Sequence, residues 1–305
     1  MVHAAENSAP LSQVLAALLD APALEAILRG ALAEDLGPRG DITTQCLWPQ
    51  PRRLKGQVAF REPGVLCGGA LLPRLIAVVG GGVGYRVCAT DGDALAAGSV
   101  VAQLEGDGAA IVALERTALN FIGFLSGIAT ATAAHVAAVA GTGAQIVDTR
   151  KTVPGMRLLS KYAVRCGGGV MHRLGLHDAM LIKDNHAAGL TSAAFAQECG
   201  AAAGRARSLG VKFVEVEADT LEQVAALLAL PAGTLDILLL DNMSLAQLAE
   251  AKRLRDSTRP GVLLEASGGV TLSTVAQIAH TGVDRIAVGA ITHSVRSIDI
   301  GLDVR

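Results

Sequence analysis

The stretch "DILLLDN", residues 236–242, decides the fold because an apolar run leads directly into a carboxylate and an amide. A short apolar run bounded by polar residues is typical of a strand buried on both faces of a parallel sheet. Five other runs have the same form: "QIVDTRK", "AMLIKDN", "KFVEVE", "VLLEASGG" and "RIAVGA". Helical stretches such as residues 191–209 and 244–255 separate them. This alternation predicts a parallel α/β sheet with right-handed crossovers in the second half of the chain.

The ends of these runs favour a barrel over an open sheet. A polar, charged or glycine residue follows or ends each run, namely Lys151, Lys183, Glu217, Asp241, Ser267 and Gly289. Functional groups at the carboxyl ends of many successive strands are the barrel arrangement, whereas an open sheet concentrates its site at one switch point. Since six runs are two short of a full barrel, we expect either an incomplete barrel or a strand hidden near residues 163–170.

The N-terminal part of the chain has a different pattern. Apolar positions recur at helical spacing between residues 11 and 36, and Pro22 suits a helix start. Between residues 56 and 106, short runs separated by Gly, Pro and Asp indicate a small sheet with tight turns. Residues 109–140 contain few helix breakers and predict one long helix or two consecutive ones. An N-terminal α+β part therefore precedes the predicted barrel.

Bulk composition argues against several classes of function. The 305 residues carry a formal net charge of −2 and few aromatic residues, unlike a general nucleic-acid binder. Five scattered cysteines without a CxxC pair provide neither a zinc nor a redox motif. Charged and polar residues interrupt the most apolar stretch, residues 109–141, and the N-terminus lacks the pattern of a signal peptide. We expect a soluble cytoplasmic protein that binds neither membrane nor nucleic acid.

Cationic residues are nevertheless concentrated in one segment. Residues 148–186 contain seven lysines and arginines together with three of the chain's seven histidines. Arginine pairs bidentately with carboxylates, and lysine suits phosphate. Four of these cations stand at strand ends or beside a histidine and are candidate anion ligands: Arg150, Lys151, Arg173 and Lys183. A solvated surface is the alternative for Lys183, and helical spacing favours a solvated helix face for Arg157, Lys161 and Arg165.

Carboxylates and glycines complete the predicted strand ends. Glu217 and Asp241 would share a rim with the cations, where they could bind ribose hydroxyls or a hydrated magnesium ion, or merely neutralise the cations. Glu215 points in the same direction as Glu217 because side chains alternate along a strand. The ends "EASGGV" and "AVGAIT", residues 265–270 and 287–292, suit a phosphate, since barrels often bind one at the loops of their last two strands. A plain turn is the alternative for each.

The histidines and Arg116 are less specific signals. His172 stands beside Arg173 and could orient or protonate a substrate, whereas His177 and His186 could be capping or core residues. No metal-binding spacing links these histidines. Arg116 belongs to the long predicted helix, where it either pairs with Glu115 on the surface or reaches a neighbouring subunit.

Taken in order along the chain, these motifs resemble the quinolinate phosphoribosyltransferase family, the decarboxylating nicotinate-nucleotide pyrophosphorylases of NAD biosynthesis. The resemblance begins at "EDLGPRGDITT", residues 34–44, and closes at "VGAITHS", residues 288–294. Between these it includes "ERTALNFIGFLSGIAT", "DTRKTVPGMR", "KYAVRCGGGVMHRLGLHDAMLIKDNH", "VEVE", "LLLDNM" and "EASGGV". Each motif alone is weak, but the set is specific. One departure is Met243, where a phenylalanine is expected.

The resemblance implies a fold and an assembly. It implies an N-terminal α/β sandwich domain, residues 1–124, and an incomplete α/β barrel of about seven strands, residues 125–290. Residues 291–305 are expected to form a tail that packs back on the N-terminal domain. The family works as a homodimer or as a larger assembly such as a hexamer. Its active sites are shared, so that the partner's Arg116 completes each one.

The resemblance also implies a reaction: quinolinate and 5-phosphoribosyl 1-diphosphate give nicotinate mononucleotide, diphosphate and CO2, with Mg2+ as cofactor. The implied catalytic residues are Lys151, Lys183, Glu217 and Asp241. For quinolinate, the implied ligands are Arg150, His172, Arg173 and the partner's Arg116, with Thr149 adjoining them. Lys151 and Lys183 would bind the diphosphate, while Glu217 and Asp241 would bind ribose and Mg2+, directly or through water. For the 5-phosphate, the implied residues are Ser267, Gly268, Gly269, Val288, Gly289 and Ala290.

Three alternatives remain at this point. A Schiff-base aldolase on a phosphate-binding barrel would use Lys183 as its amine. A related phosphoribosyltransferase-like protein of metal transport operons would share the fold. A non-catalytic metabolite sensor would be expected to lack Glu217, Asp241 or the lysine pair, and this sequence retains all of them.

Overall fold

The computed structural model describes residues 7, 9–187 and 189–304. The chain forms two compact units. The N-terminal unit comprises Ala9–Ala133, Leu158–Gly168 and the C-terminal segment from Ser294. The barrel unit comprises Ala134–Arg157 and Gly169–His293, together with Asn7.

The N-terminal unit contains a four-stranded antiparallel sheet. In chain order the elements are α1 (Leu11–Leu18), α2 (Ala21–Leu36), α3 (Ile42–Leu47), β1 (Arg53–Phe60), β2 (Gly64–Val65), α4 (Leu72–Val79), β3 (Gly84–Val87), β4 (Ala94–Leu95), β5 (Val100–Asp107) and α5 (Gly108–Ala138). Short 3-10 turns, Gly37–Arg39 and Gly69–Leu71, follow α2 and precede α4. The strand order is β12, β1, β5, β3, in which β12 (Ile300–Val304) pairs antiparallel with β1. The helices and turns predicted here are therefore present.

The helix α5 is the core helix of this unit. Ile111, Leu114, Leu125 and Ile128 are almost completely buried along it. It is long and apolar enough to cross a membrane by length and composition, and half of its apolar window is buried within the protein. Gly127 allows close approach of the C-terminal segment, because a Cβ at this position would collide with the carbonyl group of Arg296.

The barrel unit alternates strands and helices as predicted. Its elements, apart from α6, are β6 (Gln145–Val147), β7 (Met180–Ile182), α7 (Asp184–Ala187), α8 (Ser192–Ser208), β8 (Val214–Ala218), α9 (Leu221–Leu228), β9 (Ile237–Asp241), α10 (Leu245–Thr258), β10 (Leu263–Ser267), α11 (Val275–His280), β11 (Arg285–Ala287) and α12 (Ala290–His293). The helix α6 (Arg157–Cys166) lies between β6 and β7 in the chain and belongs largely to the N-terminal unit.

The parallel sheet has the cyclic strand order of an α/β barrel. Its order is β6, β11, β10, β9, β8, β7, so the last strand of this sheet, β11, pairs with its first strand, β6. The ladder is interrupted between β6 and β7. There Val170 makes a parallel bridge with Val147 and donates its N–H to Ile146 O at 2.8 Å. The strand expected near residues 163–170 is thus reduced to a single bridging residue, while residues 157–166 form a helix.

Candidate active site

The carboxyl ends of β7, β8 and β9 bring Lys183 and three carboxylates together. Ile182 pairs with Val216 in the sheet, which places Lys183 beside Glu217, and the two side chains form an ion pair. Glu217 also accepts the Asp184 N–H at 3.3 Å. Oxygens of Glu217, Asp219 and Asp241 all lie within 4.8 Å of one another. Partial desolvation and the charges of the other two carboxylates raise the pKa of Asp219, so this cluster attracts cations.

Two arginines, Arg150 and Arg173, form a second charged group near the strand ends. Arg173 is buried, and its Nη1 lies 3.4 Å from the Ala179 carbonyl oxygen. Burial and then the charge of Arg150 lower the pKa of the Arg173 guanidinium. Within the described part of the chain, the buried Nε of Arg150 has no hydrogen-bond partner. Two like charges and an unused donor are what a site for a dianion provides.

His172 lies between these arginines and the barrel interior. Its backbone N–H donates to Asp148 Oδ1 at 2.7 Å. Its ring packs edge-to-face against Phe213, with the ring centroids 5.6 Å apart. The ring nitrogen Nδ1 accepts the N–H of Arg173 at 2.7 Å. The other nitrogen, Nε2, is 2.9 Å from Glu215 Oε2 and 3.3 Å from Glu265 Oε1. Both ring nitrogens therefore face protein groups.

The carboxylates beneath His172 belong to a buried layer of charge. Glu215 and Glu265 are fully buried, and Glu265 forms an ion pair with buried Arg285, whose Nε lies 2.7 Å away. Burial opposes ionisation of Glu265, but the neighbouring His172 ring and the charge of Arg285 lower its pKa. For Glu215, burial and the charge of Glu265 outweigh the attraction of His172 and raise the pKa. This layer is unusual, because barrel interiors are mostly filled by branched apolar side chains.

Two features of the structure favour different protonation states of the His172 ring. Burial alone lowers the pKa of His172, yet Glu215 and Glu265 raise it to about 10. A doubly protonated ring, however, would direct a proton from Nδ1 at the Arg173 N–H, which is only 2.7 Å away. Two N–H donors cannot face each other at this distance, so Nδ1 carries no proton. The ring then carries its proton on Nε2.

The ends of β10, β11 and β6 contribute the glycines and Lys151. Ser267 pairs with Asp241 in the sheet and is followed by Gly268 and Gly269, both with positive φ. A Cβ at Gly289 would lie 3.2 Å from Lys151 Cδ, so this glycine and this lysine are neighbours. Thr292 donates to the Lys151 carbonyl oxygen at 2.7 Å, and Thr149 Oγ1 accepts the Lys151 N–H at 3.0 Å. Val288 donates its N–H to Val147 O at 2.9 Å, and Ala290 begins α12.

Two predictions about cations have different outcomes in the structure. The solvated helix face predicted for Arg157, Lys161 and Arg165 is wrong for Lys161, whose exposed fraction is 0%. Arg157 and Arg165 are only partly exposed. These residues do form a helix, as their spacing predicted, but the face of α6 that carries Lys161 is buried. Arg116 lies on α5 in the N-terminal unit with 63% of its side chain exposed, and its Nη2 is 3.9 Å from Glu115 Oε1.

Sequence reasoning did not single out several residues of this site. Asp219 follows β8 by one residue, a signal that strand-end logic could have used. Asp148 opens the "DTRK" motif and is fully buried, which an apolar strand leading into an aspartate could have indicated. Glu265 and Arg285 lie inside strands, where the sequence gives no sign that a charged side chain points inward.

Two family models together match most of the chain. The model described as "Quinolinate phosphoribosyl transferase, N-terminal domain" matches residues 41–126. The model described as "Quinolinate phosphoribosyl transferase, C-terminal domain" matches residues 128–303. The chain belongs to the quinolinate phosphoribosyltransferase family. The resemblance inferred from the motifs is confirmed.

Relatives within this family cover similar lengths. A protein of Mycobacterium leprae named nicotinate-nucleotide pyrophosphorylase [carboxylating] is 47% identical over 91% of this chain and 95% of its own length. A Bacillus subtilis protein named as a probable enzyme of the same kind is 37% identical over 92% of this chain and 93% of its own length. The structure of the nicotinate-nucleotide pyrophosphorylase from Francisella tularensis superimposes with a TM-score of 0.82 at 35% identity, covering 98% of both chains. The two-part fold predicted from the sequence is thus confirmed.

Proposed function

We propose that this chain is a decarboxylating quinolinate phosphoribosyltransferase of de novo NAD biosynthesis. It transfers the phosphoribosyl group of 5-phosphoribosyl 1-diphosphate to quinolinate and releases diphosphate and CO2, leaving nicotinate mononucleotide. Membership in the family and the names of the relatives support the activity. The site supports it in detail.

The observation that carries the assignment is the arginine pair. Burial and the charge of Arg150 lower the pKa of Arg173, and Arg150 Nε lacks a hydrogen-bond partner among the described residues. A dicarboxylate such as quinolinate relieves the repulsion and supplies acceptors for both planar guanidinium groups. His172 has its ring nitrogens engaged by Arg173, Glu215 and Glu265. We therefore assign it to orienting Arg173 rather than to direct contact with quinolinate.

The remaining strand ends suit the phosphoribosyl donor. Lys151 and Lys183 supply compact positive charges for the diphosphate. Glu217 and Asp241 supply acceptors for ribose hydroxyls, with Thr149 beside the quinolinate end. The adjacent ends of β10 and β11 provide the 5-phosphate site through Ser267, Gly268, Gly269, Val288, Gly289 and Ala290. In this proposal the donor lies at these strand ends, and the carboxylates of quinolinate lie at Arg150 and Arg173.

Magnesium fits the carboxylate cluster. Hard oxygen ligands from Glu217, Asp219 and Asp241 lie close enough together to share one cation, and Mg2+ is commonly held by one or two carboxylates plus substrate phosphates. When bound, the ion would neutralise charge on the diphosphate as it leaves. Asp219 joins Glu217 and Asp241 as a proposed ligand, directly or through water.

The protein groups act mainly by position and charge. Arg150 and Arg173 hold quinolinate so that its ring nitrogen faces the anomeric carbon. A C–N bond forms there while the C–O bond to diphosphate breaks, and the electron pair leaves with the diphosphate. Glu217 and Asp241 stabilise the positive charge that develops on the sugar. The C2 carboxylate then departs as CO2, its electron pair remains on the ring carbon beside the cationic nitrogen, and that carbon takes up a proton. No covalent nucleophile is required.

We further propose a shared site in a homodimer or hexamer of the cytoplasm. The exposed Arg116 would serve the site of the neighbouring subunit, as the resemblance implies. An exposed arginine on an otherwise apolar core helix suits such a contact better than an isolated pair with Glu115.

The test is product formation from labelled quinolinate. We expect CO2 release that depends on both quinolinate and 5-phosphoribosyl 1-diphosphate, with nicotinate as an inactive control substrate. Nicotinate turnover without need for the second carboxylate would contradict the assignment. Borohydride trapping of a keto substrate on Lys183 would instead support the aldolase alternative.

A further inference from the structure

The buried charge cluster, made of His172, Glu215, Glu265 and Arg285, lies one layer beneath the proposed substrates. Glu215 precedes Glu217 by two residues on β8, and Glu265 precedes Ser267 by two residues on β10, so each points into the same interior as the rim residue above it. Glu265 pairs with Arg285 in the β10–β11 ladder. The chemistry described above requires no catalytic step from Glu215, Glu265 or Arg285.

Stability alone is a poor reason for this cluster. Glu215, Glu265 and Arg285 are each at most 1% exposed. Among the described residues, both carboxylate oxygens of Glu215, Oε1 of Glu265 and Nη2 of Arg285 have no hydrogen-bond partner. Apolar side chains of similar volume often stabilise a core as well as a buried ion pair or better. A buried charge layer with unsatisfied atoms therefore points to a functional constraint.

The contacts of His172 indicate what that constraint is. Glu215 Oε2 and Glu265 Oε1 lie 2.9 Å and 3.3 Å from Nε2, and this electrostatic contact favours one rotation of the ring. The opposite nitrogen then accepts the N–H of Arg173. The backbone N–H of His172 donates a hydrogen bond to Asp148, which lies two residues before Arg150 in the chain. His172 thus connects the charge cluster to both chain segments that carry the arginines, through its ring to Arg173 and through its backbone N–H to Asp148.

We propose that Glu215, Glu265 and Arg285 are positioning residues for quinolinate recognition. Arg285 orients Glu265, the two carboxylates fix the His172 ring, and the ring fixes the backbone of Arg173 beside Arg150. The inference rests on the proposed function, because it assigns quinolinate to these arginines. It extends the recognition site to a layer that does not touch substrate.

The primary test is Glu265→Gln, compared with Asp284→Asn as a matched control. Asp284 also forms an ion pair of 2.7 Å with a buried arginine of the barrel unit, Arg255, but it precedes β11 instead of facing its interior. Both variants should unfold at lower temperature. Only Glu265→Gln should raise the Kd and KM for quinolinate, by about tenfold or more, with the Kd for 5-phosphoribosyl 1-diphosphate little changed.

A double-mutant cycle separates positioning from general destabilisation. If Glu265 acts through the ring, its replacement should have little further effect on quinolinate affinity in a His172→Gln background. Additive losses in the cycle would overturn the proposal, as would an unchanged quinolinate Kd in Glu265→Gln.

Two further variants keep the test decisive if Glu265→Gln does not fold. Glu265→Gln combined with Arg285→Gln leaves no unpaired charge from this ion pair and should be easier to purify. His172→Gln alone removes the connection to Arg173, and unchanged quinolinate affinity in that variant would also overturn the proposal. If the wild-type chain itself released no CO2 from quinolinate, the proposed function would fail. Normal wild-type activity with unaffected variants would refute only the positioning inference.

Discussion

At the scale of single residues, the site is defined by charges that repel one another in the absence of substrate. Arg173 is buried beside Arg150, and its lowered pKa reflects both the lost hydration and the like charge. Such a pair is stable only because the surrounding fold holds it in place. Substrate affinity is therefore expected to depend on each arginine separately.

We predict that Arg173→Ala loses mainly quinolinate binding. The loss should be roughly 2–5 kcal/mol, as for truncation of one partner in a buried, hydrogen-bonded charge pair. Calorimetric titration with quinolinate measures it, and titration with 5-phosphoribosyl 1-diphosphate should give a nearly normal Kd. Arg205→Ala, on the exposed side of α8, is the control and should change neither value. An Arg173→Ala variant with wild-type quinolinate affinity would refute the assignment.

Asp219 supplies a second prediction at this scale. Asp219→Asn removes one of three clustered carboxylates, so it should weaken the binding of Mn2+, used as a probe for Mg2+, by about tenfold. Electron paramagnetic resonance of free Mn2+ in a titration of the protein measures this without turnover. Asp35→Asn, at the exposed end of α2, is the matched control. Equal Mn2+ affinity in the two variants would exclude Asp219 from the cation site.

Some residues of the site could be predicted from the sequence, and others could not. The strand-end rule located Lys183, Glu217 and Asp241 correctly, because the register of parallel strands follows from the apolar runs. Helical spacing misplaced Lys161, because it identifies a face of a helix but not which face is buried. Neither rule could find the partners of His172, because these come from strands distant in the chain.

At the scale of elements, the loops after β9 and β10 depend on each other. Asn242 has a positive φ and donates its N–H to Ser267 O at 2.9 Å. Gly268 has φ +100°, and a Cβ there would lie 2.6 Å from Asn242 Cγ and 2.9 Å from Asn242 N. The two loops can therefore adopt this arrangement only if residue 268 lacks a side chain.

Gly268→Ala is accordingly predicted to weaken binding of 5-phosphoribosyl 1-diphosphate. Left-handed backbone costs a residue with a Cβ about 1–2 kcal/mol, and displacement of Asn242 adds to this, so the Kd should rise about tenfold or more. Gly261→Ala, just before β10, has open space around its Cβ and should bind normally. A normal Kd in both variants would show that this loop does not hold the phosphate.

Gly127 provides a prediction about stability. Gly127→Ala would press α5 against the Arg296 carbonyl group, and overpacking of this kind costs about 1–3 kcal/mol. Fluorescence of Trp48, the chain's single tryptophan and part of the N-terminal unit, reports its unfolding in urea. Gly30→Ala, in α2 with nothing near its Cβ, should instead stabilise by about 0.5–1 kcal/mol. The same shift in both variants would argue against the close approach.

The elements themselves were largely predictable. All six apolar runs form strands of one parallel sheet, because burial on both faces selects short branched and apolar segments. The pairing of β12 with β1 was harder to predict. Apolar and polar residues alternate over only residues 300–304, which is too short a pattern to identify the partner strand. Val170 could not be identified as a bridging residue, because a single residue has no periodicity.

At the scale of the whole molecule, a formal net charge of −2 conceals a separation of charge. The arginine pair and the carboxylate cluster occupy different parts of one barrel rim. Arg116, by contrast, belongs to the N-terminal unit. If each site takes this arginine from a neighbouring subunit, activity becomes a property of the assembly.

Subunit mixing tests that last step. In a heterodimer of Arg116→Ala and Lys183→Ala subunits, a shared arrangement leaves one site with both residues intact and the other with neither. Purified heterodimers should therefore regain about half of the wild-type activity, although each parent homodimer is nearly inactive. In the control pairing, Arg173→Ala with Lys183→Ala, both residues come from the same barrel, so every site keeps one defect and no activity should return. Equal failure of both pairings, in heterodimers verified by differential tags, would place Arg116 outside the site of the neighbouring subunit.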